Sequence, residues 1–321
     1  MRNQLFIDYL KEHMPSERVL LIGNGINRLN RGNYSWESLL RELIVSSNLE
    51  NIVHVGKQKP FPLLFEEILN HMEGESFDSN LKKLKTEVKV QIEKALSSND
   101  YHLKVMQLEY SNILTTNYDY LFEKSLDMNF IKQRKPGKGN QYLYSDKRVN
   151  KIDNKFIWHI HGELDNGFND NRRYSTQSIM LGFDHYTSYL NNIYQFLVNN
   201  NQSINNQVIK QELDRSNTFD KRWYYYLFTH NVDIVGLDLT SSEVHLWWLF
   251  NYRSKLSKRK GNIKNTITYH IPSYETLIKK DDIDLLKSFD IKINPIHSEF
   301  NGGKFYEGFY DNFLKLNYNN E

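Results

Sequence analysis

Residues 18–36 read RVLLIGNGINRLNRGNYSW, and the opening half of this stretch decides the fold. Residues 18–23 form a short apolar run that ends at glycine, which is too short for a core helix and predicts a buried β-strand. The Gly-Asn-Gly at its end allows two interpretations: a tight structural turn, or a loop whose backbone approaches a phosphate before the next helix. Ser35 is the predicted N-cap of that helix, which would carry Trp36.

Strand-like runs recur along the rest of the chain, and most of them lead into a helical pattern. This alternation is typical of a parallel α/β sheet flanked by helices. Residues about 40–110 show only the three- and four-residue apolar spacing of helices, which predicts a helical insertion between the first two strands. A further helix is predicted over residues 3–12 and a surface loop over residues 199–206. The strand-like runs after the insertion are SNILTTN (111–117), KFIWHIHG (155–162), SIMLG (178–182), NVDIVG (231–236), NTITYHI (265–271) and DIKINP (290–295).

Composition excludes several classes of protein. The 321 residues include no cysteine, which rules out disulfides, thiolate catalysis and any zinc site built on Cys ligands. The formal net charge is only +2, so we do not expect direct binding of nucleic acid. The N-terminus lacks the apolar segment of a signal peptide, and no apolar run reaches the length that spans a bilayer. We therefore expect a cytoplasmic protein with no membrane partner.

Ligands of parallel sheets bind at the carboxyl ends of the strands, and the unusual residues of this sequence cluster there. Glycines give the backbone room to approach a ligand, and short amide side chains reach ligand oxygens. Each group also has a plain structural interpretation, since glycines permit tight turns and Thr116 or Asn117 is placed to cap the next helix. The candidates at these ends are Gly23, Asn24, Gly25, Asn27, Thr116, Asn117, Asp119 and Gly236.

His159 and His161 lie two residues apart on a predicted strand, so they are expected to share a face. One interpretation is a pair of metal ligands, although such sites usually need further ligands and neither the HxxEH nor the HExxH spacing is present. A second is a single general base, because His161 directly precedes Gly162 at the end of the strand and histidine has a suitable intrinsic pKa. The third is two hydrogen-bonded core histidines.

The order of these motifs resembles that of the sirtuin family, in which Gly-Ala-Gly-x-Ser, Thr-Gln-Asn-Ile-Asp, Leu-His-Gly and Gly-Thr-Ser-Leu follow one another. The stretches NYSWESLL and SIMLGFDHY are similar to the bacterial sirtuin-like branch, and LIGNG matches the opening of the AbiH abortive-infection family. The corresponding residues here are Gly23-Asn24-Gly25, Thr115-Thr116-Asn117-Tyr118-Asp119, Ile160-His161-Gly162 and Gly236-Leu237-Asp238-Leu239.

The resemblance implies a single Rossmann-like domain over residues 1–321 with NAD⁺ as its substrate. Residues 23–27 would hold the pyrophosphate, and Thr116 belongs to the same binding site. Asn117 would orient the nicotinamide ribose and a water, while Asp119 would contact the carboxamide. His161 would be the general base. Gly236, Leu237 and Asp238 would line the adenosine side.

Differences between this sequence and the sirtuin deacylases narrow the range of activities that we expect. The zinc ribbon of the deacylases cannot form without cysteine, and Asp238 replaces the usual serine. We therefore expect a metal-independent NAD⁺ hydrolase that resembles the NADase effectors of bacterial anti-phage defence, controlled by homo-oligomerisation or by a partner protein. The alternatives are a catalytically silent nucleotide- or partner-binding module, and a metal-dependent hydrolase that uses His159 and His161.

Overall fold

The structure is a computed structural model that describes residues 17–29, 34–56, 59–74, 76–130, 146, 148–164, 179–198, 222–260, 263–274, 279–298 and 305–318. The helix predicted over residues 3–12 and the loop predicted over residues 199–206 lie outside these ranges. Among the helices described, none has both the length and the apolar character needed to cross a membrane.

Seven strands form one sheet in the order β3-β4-β2-β1-β5-β6-β7. Every neighbouring pair is parallel except β3 and β4. Without the edge strand β3, the order is that of a doubly wound Rossmann sheet, so the predicted Rossmann-like α/β fold is confirmed. The strands are β1 (Arg18–Ile22), β2 (Asn112–Thr115), β3 (Val149–Ile152), β4 (Lys155–His159), β5 (Asn231–Val235), β6 (Ile267–Pro272) and β7 (Ile291–Ile296).

Helices flank the sheet, and four of those that the structure describes, α1–α4, lie between β1 and β2 in the chain. Ser35 caps α1 as predicted, because its side chain accepts a hydrogen bond from the backbone N–H of Ser38. The helices are α1 (Trp36–Ser46), α2 (Phe61–His71), α3 (Phe77–Ala95), α4 (Asp100–Gln107), α5 (Leu121–Leu126), α6 (Phe183–Leu197), α7 (Tyr226–Thr229), α8 (Val244–Lys260), α9 (Lys280–Ser288) and α10 (Phe305–Tyr318).

The strand register brings the candidate residues to one edge of the sheet. Ile22 at the end of β1 pairs with Thr115 on one side and with Val235 on the other. Thr115 in turn pairs with His159 at the end of β4. Because these four strands are parallel and end at the same level, the residues that follow each of them meet at one edge.

The prediction of a strand at residues 178–182 is wrong. Ile179, Met180 and Leu181 are fully buried, but they form a connecting segment before α6. β4 already has β2 on one side and β3 on the other, so its edges are occupied. The backbone of this segment instead bonds to the residues that follow β4: the Met180 N–H donates to the His161 carbonyl at 2.9 Å.

Strand β3 was not predicted. It pairs antiparallel with β4 through a two-residue turn at Asp153 and Asn154, with Ile152 opposite Lys155. Asp153 has a φ of +50°, in the left-handed region that such turns require. The Asp-Asn pair between two short strand-like runs is the sequence feature that could have revealed this hairpin.

Lys85 connects the helical layer to the start of α6. Lys85 belongs to α3 and its side chain is buried. Its Nζ lies 3.4 Å from His185 Nε2. Burial lowers the pKa of Lys85 to about 7, against a smaller opposing effect of Glu66. Between pH 7 and the ordinary lysine pKa, the unfolded chain therefore binds more protons than the folded chain at this residue. The contribution of Lys85 to the free energy of unfolding therefore rises with pH between pH 7 and the ordinary lysine pKa.

We expect the free energy of unfolding of the wild type to rise from pH 7 to pH 9.5 by about 3 kcal/mol more than that of Lys85→Met, since each pKa unit corresponds to about 1.4 kcal/mol. Urea unfolding at the two pH values measures this difference. Lys83→Met, which changes an exposed lysine of the same helix, is the matched control. An equal pH response of wild type and Lys85→Met would contradict the prediction.

Candidate active site

A cleft of about 460 Å³ opens at the carboxyl ends of the parallel strands. It lies where the strand order reverses between β1 and β5, which is where open α/β sheets bind their ligands. Its volume is in the range of ordinary small-molecule sites. The predicted residues that line it are Asn24, Gly25, Thr116, His161, Gly236, Leu237 and Asp238.

The glycines after β1 are required by a close approach of two backbones. The Gly23 N–H donates to the Val235 carbonyl at 3.1 Å, and the Gly25 N–H donates to the Gly236 carbonyl at 2.7 Å. A Cβ at Gly23 would lie 2.6 Å from the Gly236 carbonyl oxygen, and one at Gly25 would lie 2.7 Å from Gly236 Cα. The Gly-Asn-Gly is therefore a tight turn, and the same turn brings Gly25 to the cleft wall.

Gly236 is constrained by both its conformation and its surroundings. Its φ is +59°, and a Cβ there would overlap the hydroxyl of Tyr310 in α10. That hydroxyl is buried and forms no hydrogen bond with the described residues. Tyr310 also lines the cleft, so α10 contributes to the site from the far end of the chain.

Gly236→Ala is expected to lower the free energy of unfolding by about 3 kcal/mol, because left-handed strain costs about 1–2 kcal/mol and overpacking about 1–3 kcal/mol. In a Tyr310→Phe background the loss should fall to about half, since the overlapping oxygen is gone and the backbone strain is the main cost that remains. Tyr310→Phe alone is the control, and chemical denaturation measures all three. Identical losses in the two backgrounds would show that the hydroxyl does not restrict this position.

Asn117 follows β2 and is 1 % exposed. Its Nδ2 lies 3.4 Å from the Gly23 carbonyl, and its Oδ1 is buried without a hydrogen-bond partner among the described residues. A side pocket of about 10 Å³, room for one water molecule, lies beside Asn117. This pocket shares Asn24 and Trp36 with the cleft, so Asn117 lies in a pocket that adjoins the cleft.

Asp119 lines the same side pocket and is held by buried hydrogen bonds. Its Oδ2 accepts from Asn27 Nδ2 at 2.9 Å, and its Oδ1 accepts from the Leu121 N–H at 3.1 Å. Burial raises the pKa of Asp119, and these two hydrogen bonds oppose that rise. Asn27 also donates to Asn24 Oδ1 at 2.8 Å, so it fixes two residues of the site from behind.

His102 in α4 completes this support. Burial lowers its pKa to about 3, so the ring is neutral at pH 7. Its Nε2 lies 3.1 Å from Asn27 Oδ1, which can only accept, and therefore Nε2 carries the proton. The hydrogen bond fixes which way the Asn27 amide faces, and the amide donates toward Asn24 and Asp119 as a result.

His161 follows β4 and contacts two residues at the start of α8. Its Nε2 lies 3.2 Å from His245 Nε2 and 3.1 Å from Glu243 Oε2. Burial, together with the nearby His161, lowers the pKa of His245 well below the ordinary histidine value, which keeps that ring neutral. His161 and Glu243 line the cleft, and His245 is fully buried behind them.

His159 has a different environment from His161. Its Nδ1–H donates to the Asn117 carbonyl at 2.8 Å, and its Nε2 lies 2.9 Å from Glu123 Oε1. Burial lowers the pKa of His159, but the charge and hydrogen bond of Glu123 outweigh it and raise the pKa to about 8. Both ring nitrogens are thus engaged, and the alternative of His159 and His161 as paired metal ligands is wrong. His159 instead holds the backbone of Asn117.

One family of known proteins matches part of the chain. Residues 111–248 match the family model of the SIR2-like domain. Over these residues the chain is similar to SIR2-like domains. The predicted sirtuin-like family is thereby confirmed, and none of the curated proteins matches the chain. The match extends from β2 into α8, so it includes Asn117, Asp119, His161 and Gly236, but the glycine turn after β1 lies outside it.

Not every predicted residue reaches the ligand space of the SIR2-like domain. Asn117 and Asp119 line the side pocket, whereas Gly23 and Asn27 line neither space and act from behind it. Leu237 is buried, and its carbonyl accepts from the Tyr269 hydroxyl at 2.9 Å. Asp238 is two-thirds exposed and pairs with Lys279 at 2.6 Å.

The residues of the site that were not predicted include Glu243, His245 and Arg28. The Glu-x-His pattern at the start of the helix that follows β5, a strand that ends at the cleft, is the sequence feature that could have revealed the first two. Arg28 lines the cleft beside the glycine turn and donates to the Tyr306 hydroxyl at 2.9 Å. Among the described residues it has no carboxylate partner, so its charge is available to an anionic ligand.

Proposed function

We propose that the SIR2-like domain hydrolyses NAD⁺ to nicotinamide and ADP-ribose. The observation that carries this proposal is the position of Asn117, with its unpaired and buried carboxamide oxygen, in a side pocket that adjoins the cleft lined by His161. An unsatisfied buried acceptor is costly, so a ligand or water that donates to it is the expected partner.

Hydrolysis of NAD⁺ needs few catalytic groups from the protein. Water attacks C1′ of the nicotinamide ribose, the bond from C1′ to the pyridinium nitrogen breaks, and the water proton passes to a base. The leaving group departs as neutral nicotinamide because the pyridinium already carries the positive charge. The protein therefore has mainly to position the reactants and to accept one proton.

Each residue has a proposed role in this reaction. Asn117 orients the ribose and the attacking water, and His161 accepts the proton. Asp119 contacts the carboxamide of nicotinamide through the side pocket. The turn at Gly25, with the neighbouring Arg28, suits the pyrophosphate, because Arg28 is the cleft cation without a carboxylate partner among the described residues. Gly236, Leu237 and Asp238 line the adenosine side.

The cellular role that we propose is depletion of NAD⁺ in the cytoplasm during bacterial anti-phage defence. An NAD⁺ hydrolase is toxic to its own cell, so its activity must be held off until infection. We propose control through homo-oligomerisation or through a separate partner protein. A fall in cellular NAD⁺ after infection, in cells with the wild type and not in cells with an inactive variant, is the expected result.

The direct test is incubation of the purified full chain with NAD⁺ and identification of the products by chromatography and mass spectrometry. We expect nicotinamide and ADP-ribose in equal amounts, at a rate that a chelator does not lower. NAD⁺ binding by calorimetry without products would favour the silent nucleotide-binding module. Loss of the reaction on chelation would favour a metal-dependent hydrolase.

A further inference from the structure

The cluster of His161, Glu243 and His245 has more lone pairs than the described structure can satisfy. The three ligand atoms lie within 4.8 Å of one another. A single proton shared between the two facing imidazole nitrogens would serve those two atoms only. The third atom, Glu243 Oε2, is buried and has no hydrogen-bond donor, although it lies 3.1 Å from His161 Nε2.

The separations within the cluster fit a small metal ion. Ligand atoms about 2.0–2.1 Å from a tetrahedral Zn²⁺ are about 3.3–3.4 Å from one another. The His161 and His245 nitrogens are 3.2 Å apart, and the His161 nitrogen and Glu243 oxygen are 3.1 Å apart. These contacts therefore need little adjustment to surround one ion.

The ligand types select the class of metal. Two imidazoles and one carboxylate suit Zn²⁺ and its neighbours in the first transition row, whereas Mg²⁺ and Ca²⁺ prefer oxygen ligands throughout. The aromatic rings of Tyr186, Tyr189 and Trp223 pack around His245 and shield one side of the cluster. His161 and Glu243 line the cleft, so a fourth coordination position would face the ligand space.

We propose that His161, Glu243 and His245 bind one divalent transition-metal ion, with Zn²⁺ as the best match. The binding itself does not depend on the proposed function. One consequence does rest on it: an ion on His161 Nε2 occupies the lone pair that would accept the proton. Zn²⁺ is then an inhibitor of NAD⁺ hydrolysis and not a participant in it.

The test uses the chelator-treated full chain and Co²⁺, whose visible absorption reports tetrahedral coordination. We expect one Co²⁺ per chain, displaced by Zn²⁺, and affinities at least about tenfold weaker in Glu243→Gln and in His245→Asn. Glu37→Gln, which changes a carboxylate of the same cleft outside the cluster, is the matched control and should bind like the wild type.

Absence of saturable binding in the wild type, or equal affinity in the wild type and Glu243→Gln, would overturn the proposal in favour of a shared proton. Thermal unfolding of the metal-free variants checks that they fold. If His245→Asn does not fold, Glu243→Gln decides alone, since its side chain is 14 % exposed. NAD⁺ hydrolysis without metal binding would overturn only this proposal, and metal binding without hydrolysis would overturn only the proposed function.

Discussion

Asn117→Ala is expected to lower the rate of NAD⁺ hydrolysis by about 100-fold to 1,000-fold, the usual effect of removing one preorganised polar group from a reaction centre. The carboxamide is held in place from two sides. His159 fixes the backbone carbonyl of Asn117, and the Gly23 carbonyl lies 3.4 Å from Nδ2. The free Oδ1 is therefore presented in one orientation, and alanine removes it without disturbing the strands.

Asn117→Asp sharpens this test because it keeps the shape of the side chain. The variant loses the Nδ2 donor and introduces a charge that faces the Gly23 carbonyl, so we expect the same loss of rate. Product formation at saturating NAD⁺ measures the effect, and near-wild-type thermal unfolding of Asn117→Ala checks the fold. The control is Asn129→Ala, at an exposed asparagine after α5. Full activity of Asn117→Ala would remove this residue from the reaction.

Much of the sheet could be predicted because local sequence determined it. Strands such as β1 and β5 are short apolar runs that end at glycine, and their consecutive residues are buried on both faces of the sheet. Residues 178–182 show the limit of that approach. Their apolar run is as buried as a strand, but whether a run becomes a strand depends on a free sheet edge, which β3 had already occupied.

The candidate site was predictable only in part for a similar reason. Asn117 and His161 follow strands directly, so the rule that ligands bind at strand ends pointed to them. His245 and Tyr310 reach the site from helices, and which helical face meets the cleft depends on packing between distant parts of the chain. The role of His159 could not be predicted for the same reason. It lies two residues from His161 in sequence, but its partner Glu123 is on a helix, and packing alone brings the two together.

His161→Ala is expected to lower the rate of NAD⁺ hydrolysis by about 100-fold to 10,000-fold, the range over which general bases contribute. His161 is the only one of the predicted catalytic residues that lines the main cleft, so no described neighbour among them can replace it. Its Nε2 also contacts Glu243, whose carboxylate would stabilise the ring once it has accepted a proton. NAD⁺ consumption and ADP-ribose formation measure the loss.

If His161 transfers a proton, an added base should replace it, which would not be so if His161 only packed. The cavity left by His161→Ala opens on the cleft, so added imidazole should restore part of the rate, whereas a variant that has merely lost packing would not respond. His54→Ala, at an exposed histidine, is the control and should keep the wild-type rate with or without imidazole. Wild-type activity of His161→Ala would show that the base lies elsewhere. A low rate without rescue, in a destabilised protein, would assign His161 to the packing between β4 and α8.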